Sequence, residues 1–406
     1  MVKQSNLWFE TCPTRRSVVS GIIKNVDILI IGGGVAGMTL LYHLVNSGFT
    51  NSFLVEESSA GYHASGRSSG QLVLRGRENF KDMQPDVAEE YLDFLCENNK
   101  RLTQGLKVAK FDCNLQKSGG LRLAIDDDEM ETLVSEAAFI NEHQNLGCQV
   151  LSSKEISHLI PSKAFKGGIY IPNEATFNPY KVVNGLMDLI ERNGTRVLTG
   201  TQVESVTEQK DGSLAVSIRH KGVIRAKQVV YCTNAYSPSL LPELSDYMTP
   251  VRGQMVATDY LSDAVLSALP SMSMMCNHGS EYFRLFGGRL LVGGMRDAVR
   301  GKQKGLLYDA ETSPSVYDHL RGFIADKLPF VTANFTHSWS GIMSYTKDKR
   351  PLVGPLPGKP NQYIMAGFNG YGFGHSLVSG MIIRDYLKKG SSNLPGTTIF
   401  DPARLS

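Results

Sequence analysis

The chain has 406 residues, a formal net charge of +3 and six cysteines. Its length exceeds what one core supports, so two domains are expected, and the near-balanced charge without a basic block argues against a nucleic-acid partner. Cys12, Cys96, Cys113, Cys148, Cys232 and Cys276 show neither C-x-x-C nor zinc spacing, which excludes a metal site of that kind and predicts reduced thiols in a cytoplasm.

Residues 1 to 24 read as an irregular lead-in, with Trp8 and Phe9 tucked against the body. Arg15 and Arg16 resemble a twin-arginine signal, but Lys24 and Asp27 interrupt the stretch after them and no separate apolar region or cleavage site appears. Then Ile28, Leu29, Ile30 and Ile31 form a continuous apolar run, the pattern of a strand buried on both faces of a parallel sheet. Gly32, Gly34 and Gly37 come next at the spacing G-x-G-x-x-G. The first permits a tight turn, the second lets backbone approach a pyrophosphate, and the third lets the helix pack closely. Val35 to Asn46 repeats Met38, Leu41, Tyr42 and Val45 at helical spacing, with its N-terminal amides toward the phosphates. Val26 to Val45, the one long apolar stretch, is broken by its glycines and is expected as strand plus helix, not as a membrane span. Phe53 to Val55 predicts a second strand ending at Glu56, 19 residues after Gly37. A carboxylate there accepts hydrogen bonds from ribose hydroxyls and repels a 2′-phosphate, so NAD or FAD is implied.

Ser58 to Leu72, SSAGYHASGRSSGQL, is too small-sided to build core and is expected to lie along a large flat ligand. Residues 79 to 151 turn helical: DVAEEYLDFLCENNKRL puts Val87, Tyr91, Phe94 and Leu95 on one face, and DDDEMETLVSEAAFINEHQ gives another amphipathic helix that starts in its acidic run. LQKSGGLRLAI between them reads as a hairpin. A strand at Gly167 to Asn173, a helix at Tyr180 to Arg192 and a strand from Thr195 come next. Residues 203 to 233 then read as a three-stranded meander with an Asp-Gly turn, re-entering a buried strand at Gln228 to Cys232. The predicted class is α/β: a Rossmann-like dinucleotide-binding domain with a parallel sheet and small antiparallel meander, followed by a further domain.

The ordered series VDILIIGGGVAG, Glu56, ASGRSSGQL, GGIYIPNEATFNPYKVV, VVYCTNAYS, PVRGQMVAT, YFRLFGGRLLVGG, WSGIMSYTKDKRPLVG and GFNGYGFGHS resembles the D-amino acid oxidase superfamily of FAD-dependent oxidoreductases over nearly the whole chain. That superfamily includes sarcosine, glycine and gamma-glutamylputrescine oxidases and dimethylglycine dehydrogenase. The resemblance implies a Rossmann-like FAD-binding domain at 1–80, 155–240 and 335–406, and a substrate domain with a larger antiparallel sheet at 81–154 and 241–334. It assigns Gly32, Gly34, Val35, Ala36 and Gly37 to the pyrophosphate, Glu56 and Glu57 to the ribose end and Val203 to adenine. Ser65, Gly66, Arg67 and Ser68 fall along the flavin, with Gly341 nearby, and Gly370, Tyr371, Gly372, Phe373 and Gly374 at its pyrimidine edge. His63 in HASG resembles the histidine through which dimethylglycine dehydrogenase relatives hold flavin covalently.

Two departures bear on substrate. Where glycine and D-amino acid oxidising members place a carboxylate-clamping arginine this chain has Met343, and where sarcosine oxidases place a lysine it has Gly374. The expected substrate is therefore an amine without an adjacent carboxylate, unless Arg284 or another cation substitutes. The expected reaction is hydride transfer from the carbon beside nitrogen, with oxygen or another acceptor reoxidising the flavin. Tyr282, Arg284 and Tyr371 are the candidate catalytic residues, and Tyr345 and Phe373 are expected near the ring. An amino acid oxidase, a 2-hydroxy acid dehydrogenase on the same fold and a flavin-bearing subunit without its own turnover are the alternatives.

Overall fold

The computed structural model describes residues 2–17, 24–76, 78–109, 111–194, 196–307 and 311–405. Positions 18–23 of the expected lead-in and position 195 of the expected strand lie outside them. The apolar run forms strand β1 (Asn25–Ile31), which leads through the glycine turn into helix α1 (Val35–Asn46) and back through strand β2 (Ser52–Val55). β1 pairs in parallel with β2 on one side and with Gly222–Tyr231 on the other. The path through this eight-stranded sheet runs Leu352–Pro355, Gln362–Ala366, Gly222–Tyr231, β1, β2, Val197–Leu198. Ile28 and Ile30 face a core shared with α1 and with the helices Pro179–Arg192 and Gly372–Lys389, whereas Leu29 and Ile31 face the meander residues Leu214 and Val216. Two-sided burial is why β1 is apolar at successive positions.

The meander is Val203–Glu208, Leu214–Ile218 and Gly222–Tyr231, antiparallel throughout. Its last strand also pairs with β1 from Asn25↔Arg225 to Ile31↔Tyr231, so one strand serves both layers. The second sheet also has eight strands, in the order Phe335–Thr346, Met248–Thr258, Arg289–Gly293, Glu281–Phe286, Ser273–Cys276, Gly120–Ala124, Gly167–Ile171, Gln149–Ser152. All its pairings are antiparallel except Ser273–Cys276 with Gly120–Ala124. This is the α/β architecture that the motifs imply, with a mainly antiparallel second sheet that is larger than the three-stranded meander.

Helix starts follow local chemistry. Asp126 accepts from the Glu129 N–H at 2.8 Å to open Asp127–Gln144. Asn178 accepts from the N–H groups of Tyr180 and Lys181, and Pro179, which has no N–H to satisfy, opens the helix.

Three expectations change. LQKSGGLRLAI is not a hairpin: Gly120–Ala124 is a single strand buried at every position, and Gln116 bridges to Thr176 instead of folding back. A strand sandwiched between distant partners needs no local turn. The helix Pro85–Val108, expected in the substrate domain, packs its Tyr91, Phe94 and Leu95 into the core of Gly372–Lys389. The chain also re-enters the nucleotide sheet at Leu352–Pro355 instead of at 335, because Phe335–Thr346 pairs along Met248–Thr258 in the larger sheet.

The six cysteines are free thiols. Among the described residues no helix is long and apolar enough to cross a membrane.

Candidate active site

A cavity of about 450 Å³ is lined from both sheets. At its nucleotide end the chain leaves β1 through Gly32, whose φ of +111° and whose 2.5 Å separation between a built Cβ and the Cys232 carbonyl oxygen admit only glycine. Gly34 caps α1, and the next N–H, on Val35, donates to Ser65 Oγ at 2.9 Å. Glu56 is buried at the end of β2. Its Oε2 accepts from the Gly33 N–H at 2.6 Å and its Oε1 from the Ser58 N–H at 2.8 Å. Burial pushes its pKa up against those two N–H bonds and the nearby His63. Its carboxylate is thus fixed before any ligand arrives, with lone pairs left over.

The loop after β2 is held from behind. Asn6 Nδ2, Trp339 Nε1 and Trp8 Nε1 donate to the carbonyls of Gly66, Arg67 and Ser68 at 2.7, 2.9 and 2.8 Å. The lead-in segment, with Trp8 fully buried, thereby fixes the loop whose Ser65 and Ser68 line the cavity. Arg67 also lines it, but its Nε and Nη1 donate to the carbonyls of Tyr62 and Ser340 at 2.7 and 3.0 Å. His63 stands on the wall with Nε2 3.0 Å from Glu57 Oε1, its ring against Tyr62 and Tyr236.

Opposite runs the glycine-rich turn into Gly372–Lys389, with Tyr371 at the N-cap. Its carbonyls are also tied down. Asn98 Nδ2 donates to Phe373 O at 2.9 Å, and His375 Nδ1 to Tyr371 O at 2.8 Å. His375 Nε2 then accepts from the Tyr91 hydroxyl at 2.8 Å. Burial brings the His375 pKa down to about 4, which keeps the ring neutral and leaves Nδ1–H as the donor. Neither stood out in the sequence: Tyr91 was one of four residues on a helix face, and His375 stood only within the series GFNGYGFGHS.

At the far end the larger sheet contributes Met255, Tyr282, Met343 and Tyr345, joined by Met275 and Arg296. Gly32, Gly34, Val35, Ala36, Glu56, Glu57, His63, Ser65, Arg67, Ser68, Val203, Gly341 and residues 370–374 all line this same cavity. Gly37, Gly66 and Arg284 do not. Gly37 and Gly66 are packing positions, where a Cβ would stand 2.0 Å from the Gly32 carbonyl oxygen and 2.2 Å from that of Gly61. Arg284 is the substantive correction: its Nη1 donates to the carbonyls of Gly70 and Phe177 at 2.5 and 2.9 Å, behind the wall. Burial brings its pKa down to about 9. It is not available as a clamp.

Among the described residues no cluster of side chains could hold a metal ion. The model for the DAO family, described as FAD dependent oxidoreductase, matches residues 27–386. The chain belongs to that family. The chain is also similar to individual proteins. Gamma-glutamylputrescine oxidoreductase of Escherichia coli (strain K12) is 27% identical over 372 residues, 89% of this chain and 83% of that protein. Mitochondrial dimethylglycine dehydrogenase of Mus musculus is 24% identical, covering 90% of this chain and 42% of that longer protein. The crystal structure of glycine oxidase from Geobacillus kaustophilus superposes with a TM-score of 0.80 at 20% identity, over 94% of this chain and 99% of that one. In this DAO-family chain Arg296, Met255 and Met275 are among the cavity residues that the sequence did not single out. RLLVGGMRD was legible as a strand, but Gly294 (φ +120°) and Met295 (φ 56°) turn the chain so that Arg296 meets the cavity, and alternation does not foretell that.

Proposed function

We propose that this enzyme oxidises the C–N bond of a small amine, giving an imine that water hydrolyses to a carbonyl compound. One observation carries the reading: a single cavity joins the dinucleotide turn to a methionine- and tyrosine-lined face of the larger sheet. The residues present fit FAD. Backbone at Gly34, Val35 and Ala36 and the α1 N-terminus suit a pyrophosphate, and the preset Glu56 carboxylate suits ribose hydroxyls. Val203 serves adenine, and residues 63–68 and 370–374 form the two sides of the flavin site. Bound there, FAD supplies the acceptor for the hydride leaving the carbon beside nitrogen, and oxygen or another acceptor takes the electrons on.

The chain's own residues do the rest. The helix N-terminus at Gly372 favours negative charge beside it. Tyr282, Met255 and Met343 exclude water from the amine and disfavour its ammonium form, whose pKa in water is about 10.4 for a lysine-like amine. Tyr371 and Tyr345 shape the wall against which the substrate is oriented. The test is anaerobic mixing of the purified yellow protein with panels of amines, amino acids and 2-hydroxy acids. Bleaching by compounds with a C–N bond is expected. Bleaching by hydroxy acids alone would overturn the proposal.

The proposal includes flavin attachment through His63, supported by its place on the cavity wall beside residues 64–68. Acid precipitation is then expected to leave flavin on the protein, and His63→Ala to release it while the chain stays folded. Full release from the wild type rules the link out.

A further inference from the structure

We infer that Arg296 recognises a carboxylate on the substrate, so that the amine this enzyme oxidises is one that also carries an acid group. The inference rests on the amine-oxidation reading above and names the substrate class for it. It also revises the expectation drawn from Met343: the cation is present, but it comes from the end of Arg289–Gly293 instead of from Phe335–Thr346.

Arg296 is 4% exposed and lines the cavity. Among the described residues the carboxylate nearest its guanidinium is that of Asp297, at 4.0 Å, the limit of an ion pair, and the Asp297 side chain is 37% exposed. Beyond it stand phenols, and the buried Glu281 carboxyl acts on the guanidinium only from outside ion-pair distance. The guanidinium carbon lies 5.6 Å from the Tyr345 ring centroid, with Tyr282 and Tyr371 within electrostatic reach. Contrast the other buried arginines. Arg122 engages two carboxylates, and Arg284 and Arg67 direct their N–H groups at backbone carbonyls. Each of those directs N–H groups at protein oxygens within hydrogen-bond distance, as does Arg75 with Asn79 Oδ1 and the His278 carbonyl, even though Nε of Arg122 and of Arg75 is left over, whereas the fork of Arg296 has one distant oxygen and an aromatic face.

A buried charge in that condition is costly unless something completes it. The ring supplies a cation–π contact, and a planar carboxylate matches the remaining donors two at a time. The cavity wall on that side is otherwise Met255, Tyr282 and Met343, which offer an acid no opposing charge. The same positive charge disfavours the ammonium form of a nearby amine, so binding the acid end and keeping the nitrogen neutral are served by one residue.

The experiment compares decarboxylation-matched pairs on the FAD-bound protein under anaerobic conditions: glycine with methylamine, beta-alanine with ethylamine, gamma-aminobutyrate with propylamine. Flavin bleaching gives a half-saturating concentration and a limiting rate for each, and the best pair gives the spacing between acid and nitrogen. Acetate and acetamide are titrated in parallel, read by the shift of the flavin visible spectrum. Wild type is expected to favour the carboxylated members and to respond to acetate over acetamide. Arg296→Met is expected to raise the half-saturating concentrations of the carboxylated members, and that of acetate, on the order of 10- to 100-fold more than those of the uncharged partners. The limiting rates should move far less, and Arg296→Lys should fall between. Equal effects on both members of each pair, or a wild type that prefers the uncharged members, overturn the inference and leave amine oxidation standing. If no amine bleaches the flavin, amine oxidation fails, and the acetate titration still decides on Arg296: a wild-type response lost in the variant supports it, and no response overturns it. Should Arg296→Met lose its flavin, Arg296→Lys and the wild-type comparison of acetate with acetamide decide.

Discussion

Gly37→Val should yield no stable yellow protein, whereas Gly34→Val should yield a folded chain that has lost its colour. Both glycines belong to one motif, but the space around them differs. A Cβ at Gly37 would stand 2.0 Å from the Gly32 carbonyl oxygen and 3.0 Å from Leu54 Cδ1. The first of these is backbone, locked by the Gly32 N–H bond to Val55 O at 2.8 Å, so relief requires α1 to move off β1. Core overpacking costs about 1–3 kcal/mol when side chains can shift. Here they cannot, and the cost eats into a total stability of roughly 5–15 kcal/mol. At Gly34 the built Cβ meets only Ser65 Oγ, at 3.0 Å, and otherwise points at the cavity. The serine can rotate, so the fold survives while valine methyls fill the pyrophosphate's approach. The ratio of flavin to protein absorbance and a thermal melt separate the two outcomes. A Gly37→Val protein that keeps its flavin and melts within a few degrees of wild type would show that the close helix packing has been misjudged.

The parts of the fold that repeat a local rule were legible in the sequence, because the rule leaves its mark on neighbouring residues. β1 could be read from Ile28 to Ile31 since both of its faces are covered, and α1 from the spacing of Met38, Leu41 and Val45. The meander could be read from its alternation and Asp-Gly turn. What failed depends on partners far along the chain. Gly120–Ala124 pairs with residues near 170 and 275, and nothing within ten residues of it says so. In the site the contrast is the same. Backbone-binding glycines and Glu56 sit at fixed offsets from one strand and were found, whereas the residues holding the loops from behind, Asn6, Trp8, Trp339, Asn98 and His375, come from four separate stretches. Arg284 and Arg296 show the limit most sharply. Both lie in the Tyr282–Asp297 stretch, and only the course of the backbone after Gly293 decides which one reaches the cavity.

Arg122→Leu should be among the most destabilising single substitutions in the molecule, and its cost should shrink on acidification. Arg122 is buried in Gly120–Ala124, paired with Glu136 through Nη1 and with Glu174 through Nη2 at 2.9 Å, and Nη2 also donates to Leu74 O at 2.8 Å. Glu174 in turn accepts from the Leu74 N–H at 3.0 Å and from Ser273 Oγ at 3.2 Å. The network therefore ties the segment carrying Gln71 and Val73, both on the cavity wall, to the larger sheet. Removing the arginine strips two buried carboxylates of their shared partner, leaving Glu136 only Arg75 at 3.9 Å, and breaking a buried pair in this way costs about 3–5 kcal/mol. The pH dependence stems from Glu136. Burial pushes its carboxyl up, but Arg122, then Arg75, bring it below the ordinary range. In wild type its contribution is thus complete above the unfolded carboxyl pKa and is lost as pH falls through the lower folded value. Without Arg122 the burial effect prevails, the folded pKa rises above the unfolded one, and protonation becomes stabilising. Denaturant melts of both proteins near pH 7 and pH 5 should accordingly show the larger difference at pH 7. A difference that is constant, or that grows toward acid, would mean that the lost packing of the arginine stem outweighs the stranded charges.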